Sequence, residues 1–265
     1  MAQLGAKLKW IFIATILAGC QVAPDPETDA PFNNTHDDEV RIILQRAIAS
    51  AGGWTAWSAI DSITYRKRSI LYLADGAVES DQTQYHRYDL QPSLSGSITW
   101  SDSTGEVTIA YQDGNATRSI DGVAVTGGEE SARQTFLSAY YVLFIPFKLL
   151  DPGTLLTYTG KDTLESGAIA DVIKAEYDPG QHGNHSTSDV WWYYFEENTG
   201  RHLASLVYHP PTYALIENIR TTQTTPIRFN AYRESYRCDR TLNKQFLRGV
   251  FEYSDFRLPG ASAPQ

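Results

Sequence analysis

Apolar positions change their period twice along this chain. Over residues 38–50, Val40, Ile43, Leu44, Ala47 and Ile48 recur at three- and four-residue intervals, the spacing of one helical face. Thr35 and Asp37 offer oxygens for an N-cap, Asp38 and Glu39 put negative charge on the first turn, and Gly52-Gly53 ends the run. Trp54 and Trp57, three apart, fit a short helical turn packed on its end. From Ile60 onward the texture is that of strands. Segments 63–73, 78–90, 97–101, 106–112 and 116–120 are rich in β-branched and aromatic residues, and Asp75-Gly76, Thr104-Gly105, Asp113-Gly114 and Asp121-Gly122 mark turns. Residues 131–144 break this rhythm. There Phe136, Leu137, Tyr140, Tyr141, Leu143 and Phe144 predict a helix that is apolar around much of its circumference, hence buried, and stopped by Pro146 and Asp151-Pro152-Gly153. Strand texture returns in 154–159, 169–177, 189–196, 201–209, 214–222, 227–236 and 247–257.

The pattern predicts a mainly β (α+β) chain of eleven or twelve strands with two main helices. Neighbouring strands are joined by turns too short for helical crossovers, so the sheet is antiparallel. The run Val190-Trp191-Trp192-Tyr193-Tyr194-Phe195 is apolar on both faces of its strand, so both faces of the sheet are at least partly covered. One curved sheet with helices on its concave side meets these demands in a single domain over residues 37–258, followed by a flexible tail at 259–265.

The first twenty residues carry a different signal. Lys7 and Lys9 precede a short apolar stretch, residues 10–16, too short to span a bilayer, and then Leu17-Ala18-Gly19-Cys20. These four resemble the lipobox of bacterial lipoproteins. That resemblance implies a signal peptide over residues 1–19 and diacylglyceryl and acyl (palmitate-type) modification of Cys20, which becomes the first residue of the mature chain. Gln21 stands where an aspartate would retain such a protein at the inner membrane, so the expected location is the outer membrane, facing the periplasm. The alternative is an ordinary cleaved signal with a chance cysteine. Pro24, Pro26 and Pro31 among polar residues make 20–36 an extended tether, and the expected membrane contact is through the anchor alone.

Composition narrows the function. The formal charge is -9, from 22 basic and 31 acidic residues, with no run of Lys and Arg, which argues against a nucleic-acid surface. Of the 2 cysteines only Cys238 remains after acylation, so no intramolecular disulfide is expected, and Cys238 is either a buried thiol or a reactive one flanked by Arg237 and Arg240. No Gly-x-Ser-x-Gly elbow, Walker loop or Gly-x-Gly-x-x-Gly occurs, so no nucleophilic site or nucleotide cofactor is predicted. His182 and His185, an i, i+3 pair near Asp178 and Asp189, have a spacing too common to assign a metal. His86 and His202 read as sheet-surface histidines bonded to neighbours. Glu129-Glu130 and Glu196-Glu197 read as turn or cap charges.

The order of features also resembles something known: an opening helix, Gly52-Gly53-Trp54 with Trp57, a strand from Ile60, an aromatic mid-chain helix, then Pro146-Phe147-Lys148-Leu149-Leu150-Asp151-Pro152-Gly153. Together these are similar to a domain-of-unknown-function family of bacterial exported proteins, related in fold to the LolA/LolB-like carriers and receptors of outer-membrane lipoprotein sorting. The resemblance spans residues 38–208 and weakens beyond Pro210. It implies an incomplete antiparallel barrel around a hydrophobic cavity plugged by helices. Trp54, Trp57, Phe136, Tyr140, Phe144, Phe147, Trp191, Trp192 and Tyr194 then either fill a closed core or line a cavity for a lipid or acyl ligand. The expectation is a monomeric envelope lipoprotein that binds such a ligand without catalysis; the alternative is a structural or interaction lipoprotein with a filled core.

Overall fold

The computed structural model describes residues 30–32, 35, 37–181, 188–222 and 226–259. Cys20, the tail from 260, His182 and His185 lie outside the described residues. The first helix, α1 (Asp38–Ser50), starts at Asp37, whose side chain accepts hydrogen bonds from the Glu39 and Val40 amides, and it buries the five predicted apolar positions. The short α2 (Trp54–Ser58) follows. Six strands then run as a meander: β1 (Ser62–Tyr72), β2 (Val78–Asp89), β3 (Ser95–Asp102), β4 (Gly105–Gln112), β5 (Asn115–Ile120) and β6 (Val123–Val125). After α3 (Glu129–Leu143) and a single 3-10 turn at Phe147–Leu150 come seven more: β7 (Thr154–Thr163), β8 (Ile169–Tyr177), β9 (Val190–Glu196), β10 (His202–His209), β11 (Thr212–Thr221), β12 (Asn230–Cys238) and β13 (Lys244–Arg257).

All 13 strands form one antiparallel sheet in the order β6-β5-β4-β3-β2-β1-β13-β12-β11-β10-β9-β8-β7. The first and last strands pair at its centre, with Lys67 opposite Tyr253 and Ser69 opposite Phe251. The free edges, β6 and β7, are consecutive strands in the chain, with α3 between them in sequence. The sheet is therefore an incomplete barrel whose gap carries a helix. The sequence pattern predicts eleven or twelve strands, and β6 is missed because it is only three exposed residues after Asp121-Gly122, too short for alternation to register.

The helices lie on the inner face. Phe136 of α3 stacks on Tyr111 of β4 at 4.6 Å, Tyr140 meets Tyr88 of β2 at 5.3 Å, and Tyr141 meets Tyr177 of β8 edge-on at 5.8 Å. One helix thus bonds by aromatic contact to both halves of the sheet. The Phe147–Leu150 turn locks it in place. Trp57 stacks on Phe147 at 4.8 Å, while buried Lys148 pairs with Asp151 and sits 4.4 Å over the Tyr140 ring. Burial pulls the Lys148 ammonium below its usual range, opposed by Asp151. Ala30 is buried and Phe32 packs on the same core, so packing begins upstream of α1.

The other face carries a second, smaller cluster. The tip of the β7–β8 hairpin folds onto it with Leu164, and Glu165 reaches Lys244 at 2.8 Å. Tyr194, Leu206, Leu215 and Cys238 belong here, with Trp192 packed alongside. Cys238 is buried, and burial raises its thiol pKa, so it is an inert packing residue and not an activated nucleophile.

Close backbone approach anchors α1 to the end of the barrel. Gly200, at φ 71°, lies so near Arg46 that a Cβ would fall 2.5 Å from its carbonyl carbon, whereas Gly167, at φ 82°, has open space around it. Arg46 itself donates to Asp171 at 2.7 Å and to the Glu197 carbonyl. Gly167→Ala should cost only the left-handed strain, about 1 kcal/mol. Gly200→Ala adds a backbone collision and should cost about 3 kcal/mol or more. Urea unfolding of the two variants checks this, and equal losses would show that α1 does not depend on the contact.

Candidate functional site

Alternation on the central strands sorts their side chains cleanly. On β1, Arg66 and Arg68 point outward into ion pairs with Asp255 at 3.2 Å and Asp81 at 2.6 Å. The intervening Tyr65, Lys67, Ser69 and Leu71 point inward and line a cavity of about 440 Å³. Phe251 and Tyr253 of β13 continue this wall, and Ile98, Ile216 and Trp191 close other sides. The facing wall is α3. Its cavity-lining residues Thr135, Ser138, Ala139 and Val142 fall at i, i+3, i+4 and i+7, one stripe of small or short side chains. The bulky residues of α3 occupy other faces of the helix, so it holds the sheet without filling the space beneath it.

Polar groups in the cavity are few. Behind Tyr65, the His86 ring is 2% exposed: Nε2 donates to Gln84 Oε1 at 3.2 Å, and Nδ1 lies 3.1 Å from both the Tyr65 and Tyr88 hydroxyls, one of which donates to its lone pair. Burial, then the nearby Lys67 charge, holds its pKa well below the ordinary value, so the ring is neutral. Arg233 on β12 lines the cavity and is 3% exposed.

A second hollow of about 260 Å³ sits by the C-terminal end of α1, beside His202 and Asn230. Here His202 Nε2 lies 2.9 Å from Ser205 Oγ, and Nδ1 lies 3.3 Å from Asn230 Nδ2. The serine is 1% exposed, however, so no substrate reaches it. Burial, reinforced by Arg233, drives His202 down to about 3. Both histidines read from sequence as surface groups are thus buried, because their strands face the filled interior; each is bonded to neutral partners and not to a carboxylate. A third, polar groove of about 180 Å³ lies on the outer face.

Of the aromatic residues singled out from sequence, Trp191 lines the main cavity. Phe136, Tyr140, Phe144 and Phe147 are buried in the inner core, with Trp54 and Trp57 packed against it. Trp192 and Tyr194 point the other way, into the outer groove. The residues that sequence reading did not single out are Lys67, Phe251, Tyr253 and Arg233. They come from the first strand and from the C-terminal third, and only the β1–β13 and β12–β13 pairings bring them together. Among the described residues no cluster of three or more His, Cys, Asp or Glu is placed to hold a metal, and no helix is long and apolar enough to cross a membrane.

No protein-family model matches the sequence, and no curated protein matches it. Solved structures do share the fold. A DUF1329 family protein from Desulfovibrio piger superposes with a TM-score of 0.52 at 11% identity, over 84% of this chain and 95% of that one. A LolA superfamily protein from Nitrosomonas europaea gives 0.51 at 10% identity, over 82% and 92%. A putative outer membrane lipoprotein-sorting protein domain from Vibrio parahaemolyticus gives 0.50 at 9%, over 82% and 91%. The resemblance read from the Gly-Gly-Trp and Pro-Phe-Lys-Leu-Leu-Asp-Pro-Gly segments therefore holds at the level of fold.

The buried histidines predict how stability depends on pH. Both take up protons more readily unfolded than folded, so their contribution is complete above about pH 6.5 and is lost as pH falls toward their depressed folded values. Between pH 6 and 4 His202 should lower the unfolding free energy by about 1 kcal/mol per pH unit, and His86 should add to the fall in the same direction. His202→Asn should remove one proton's worth of this slope, measured as urea midpoints across that range; an unchanged slope would place the acid sensitivity elsewhere.

Proposed function

We propose that this is a lipid-anchored protein of the bacterial outer membrane, facing the periplasm, that binds a hydrophobic ligand, a lipid or the acyl part of a modified protein, inside its incomplete barrel and does not transform it. The cavity between α3 and the central strands carries the proposal. It is mostly apolar, opens to solvent, and is large enough to hide an alkyl chain from water. Burying apolar ligand surface there gains about 25 cal/mol per Å². The solved structures that share the fold include one described as a putative outer membrane lipoprotein-sorting protein domain, which favours a role in handling acylated molecules. The lipobox at 17–20 supports the anchor, with the domain reaching into the periplasm as a monomer on its 20–36 tether.

Two outcomes test the two halves of this reading. Ala139→Trp places an indole in the cavity from α3 and should reduce binding of a fluorescent acyl probe at least tenfold without lowering thermal stability by more than a few degrees. Wild-type protein that neither binds the probe nor copurifies with lipid would remove the ligand. Cys20→Ala should leave the fold intact and move the protein from the membrane fraction to the soluble periplasm. Retention in the membrane fraction would remove the anchor.

A further inference from the structure

The cavity is cationic in an acidic protein. Its lining contains Lys67 and Arg233 and neither Asp nor Glu, although the chain has 31 acidic residues against 22 basic ones. Several neighbouring cations are matched: Arg66 has Asp255, Arg68 has Asp81, Arg87 has Asp89, and Lys244 has Glu217. Arg233 has no ion pair and no side-chain hydrogen bond among the described residues, and its Nε is buried without a partner. A guanidinium cannot shed its proton to escape this, so the charge stays. Truly buried charges are ordinarily paired, and an unpaired one destabilises the empty protein. Among the described residues Lys67 is equally without a carboxylate. Its ammonium lies 5.3 Å from the centre of the Phe251 ring, and Phe251 is the cross-strand neighbour of Arg233. Both cations therefore converge on one region of the wall, beside Tyr253 and opposite the small-residue stripe of α3.

Resting on the reading that the cavity takes an acyl ligand, we infer that the ligand is a single-chain amphiphile with an anionic headgroup, a carboxylate or a phosphate, which Arg233 binds as a bidentate pair. Size agrees with this. At ~30 Å³ per water-sized group, 440 Å³ holds about 15 such groups, the scale of one long alkyl chain and not of the three on a lipoprotein terminus. Charge agrees as well, because a triacylated cysteine brings no anion to satisfy Arg233. The planar, fork-shaped guanidinium suits a carboxylate or phosphate, and apolar surroundings strengthen the pair.

The test uses the full chain, delipidated, with ligands of one chain length: dodecanoate, dodecyl phosphate, dodecanol and inorganic phosphate, measured by displacement of a fluorescent acyl probe. Wild-type protein should bind dodecanoate and dodecyl phosphate about 30-fold more tightly than dodecanol. Inorganic phosphate should not compete at concentrations where dodecyl phosphate saturates. Arg233→Met should erase the preference while keeping dodecanol binding within about twofold, and should raise the melting temperature of the empty protein by removing an unpaired charge. Lys67→Met, at a half-buried position that does not threaten folding, should lower the preference severalfold. Equal affinity of wild type for dodecanoate and dodecanol, or a preference that survives Arg233→Met, would overturn the headgroup assignment and leave the acyl cavity standing. Phosphate alone binding as tightly as dodecyl phosphate would also overturn it. Binding of none of the three dodecyl compounds would overturn the acyl cavity itself.

Discussion

The pairing of the first strand with the last determines the rest of this molecule. Because β1 and β13 form the central ladder, the two meanders grow outward from the middle and end at β6 and β7, which are neighbours in sequence but not in the sheet. A barrel would need those edges to meet, and three-residue β6 is too short to present a full ladder. The chain instead sends α3 through the gap. A helix of 15 residues is about 22 Å long, long enough to reach across the mouth of the half-barrel. It has to tie together strands from both halves of the sheet, which calls for large side chains directed at them. It must also leave room below, which calls for small ones directed at the central strands. Phe136, Tyr140 and Tyr141 do the first; Thr135, Ser138 and Ala139 do the second.

That division explains how a chain with 12% aromatic residues can be well packed and still contain a cavity. The aromatics are concentrated at the joints. Trp57, Phe144 and Phe147 wedge α2 against the turn after α3, Phe229 stacks on Phe256 at 4.8 Å, and Tyr177 and Tyr193 share a hydroxyl contact of 3.2 Å. The Pro-Phe-Lys-Leu-Leu-Asp-Pro-Gly segment belongs to the same joint, its lysine kept beneath Tyr140 by Asp151. Rigid joints around a partly empty centre let the space persist where a uniformly apolar interior would collapse.

Most of the fold was legible from sequence, because period-two alternation and Gly-containing turns are local signals and appear wherever a strand has one wet face. The extent of α1, Asp38–Ser50, matched its apolar spacing for the same reason. The cavity was less legible. Trp191 and Trp192 are adjacent and chemically alike, yet opposite faces of β9 send one to the cavity and the other to the outer groove, and nothing local says which face is inward. Arg233 was invisible for a related reason. In Tyr232-Arg233-Glu234 it looks like a surface arginine beside a ready carboxylate, but alternation turns Glu234 outward to Tyr236 and Arg233 inward, away from it. The only sequence signal for it would have been the parity of that strand, counted from Ala231 and Ser235, both buried.

Parity also accounts for how the interior tolerates its charges. His86 and His202 lie near Lys67 and Arg233 respectively, and each is held neutral by burial first and by that neighbouring cation second. Were either ring protonated, two positive charges would share a site with no acid to offset them. Neutral rings instead supply hydrogen-bond capacity to Tyr65, Tyr88, Ser205 and Asn230 without adding charge. The positive potential along the cavity lining then originates from one ammonium at the Phe251 ring and one guanidinium beside it. A field with so few sources, in a site poor in other polar groups and walled by a protein that is negative overall, is directional, and it favours an anion at one end of the space while leaving the remainder to hydrocarbon.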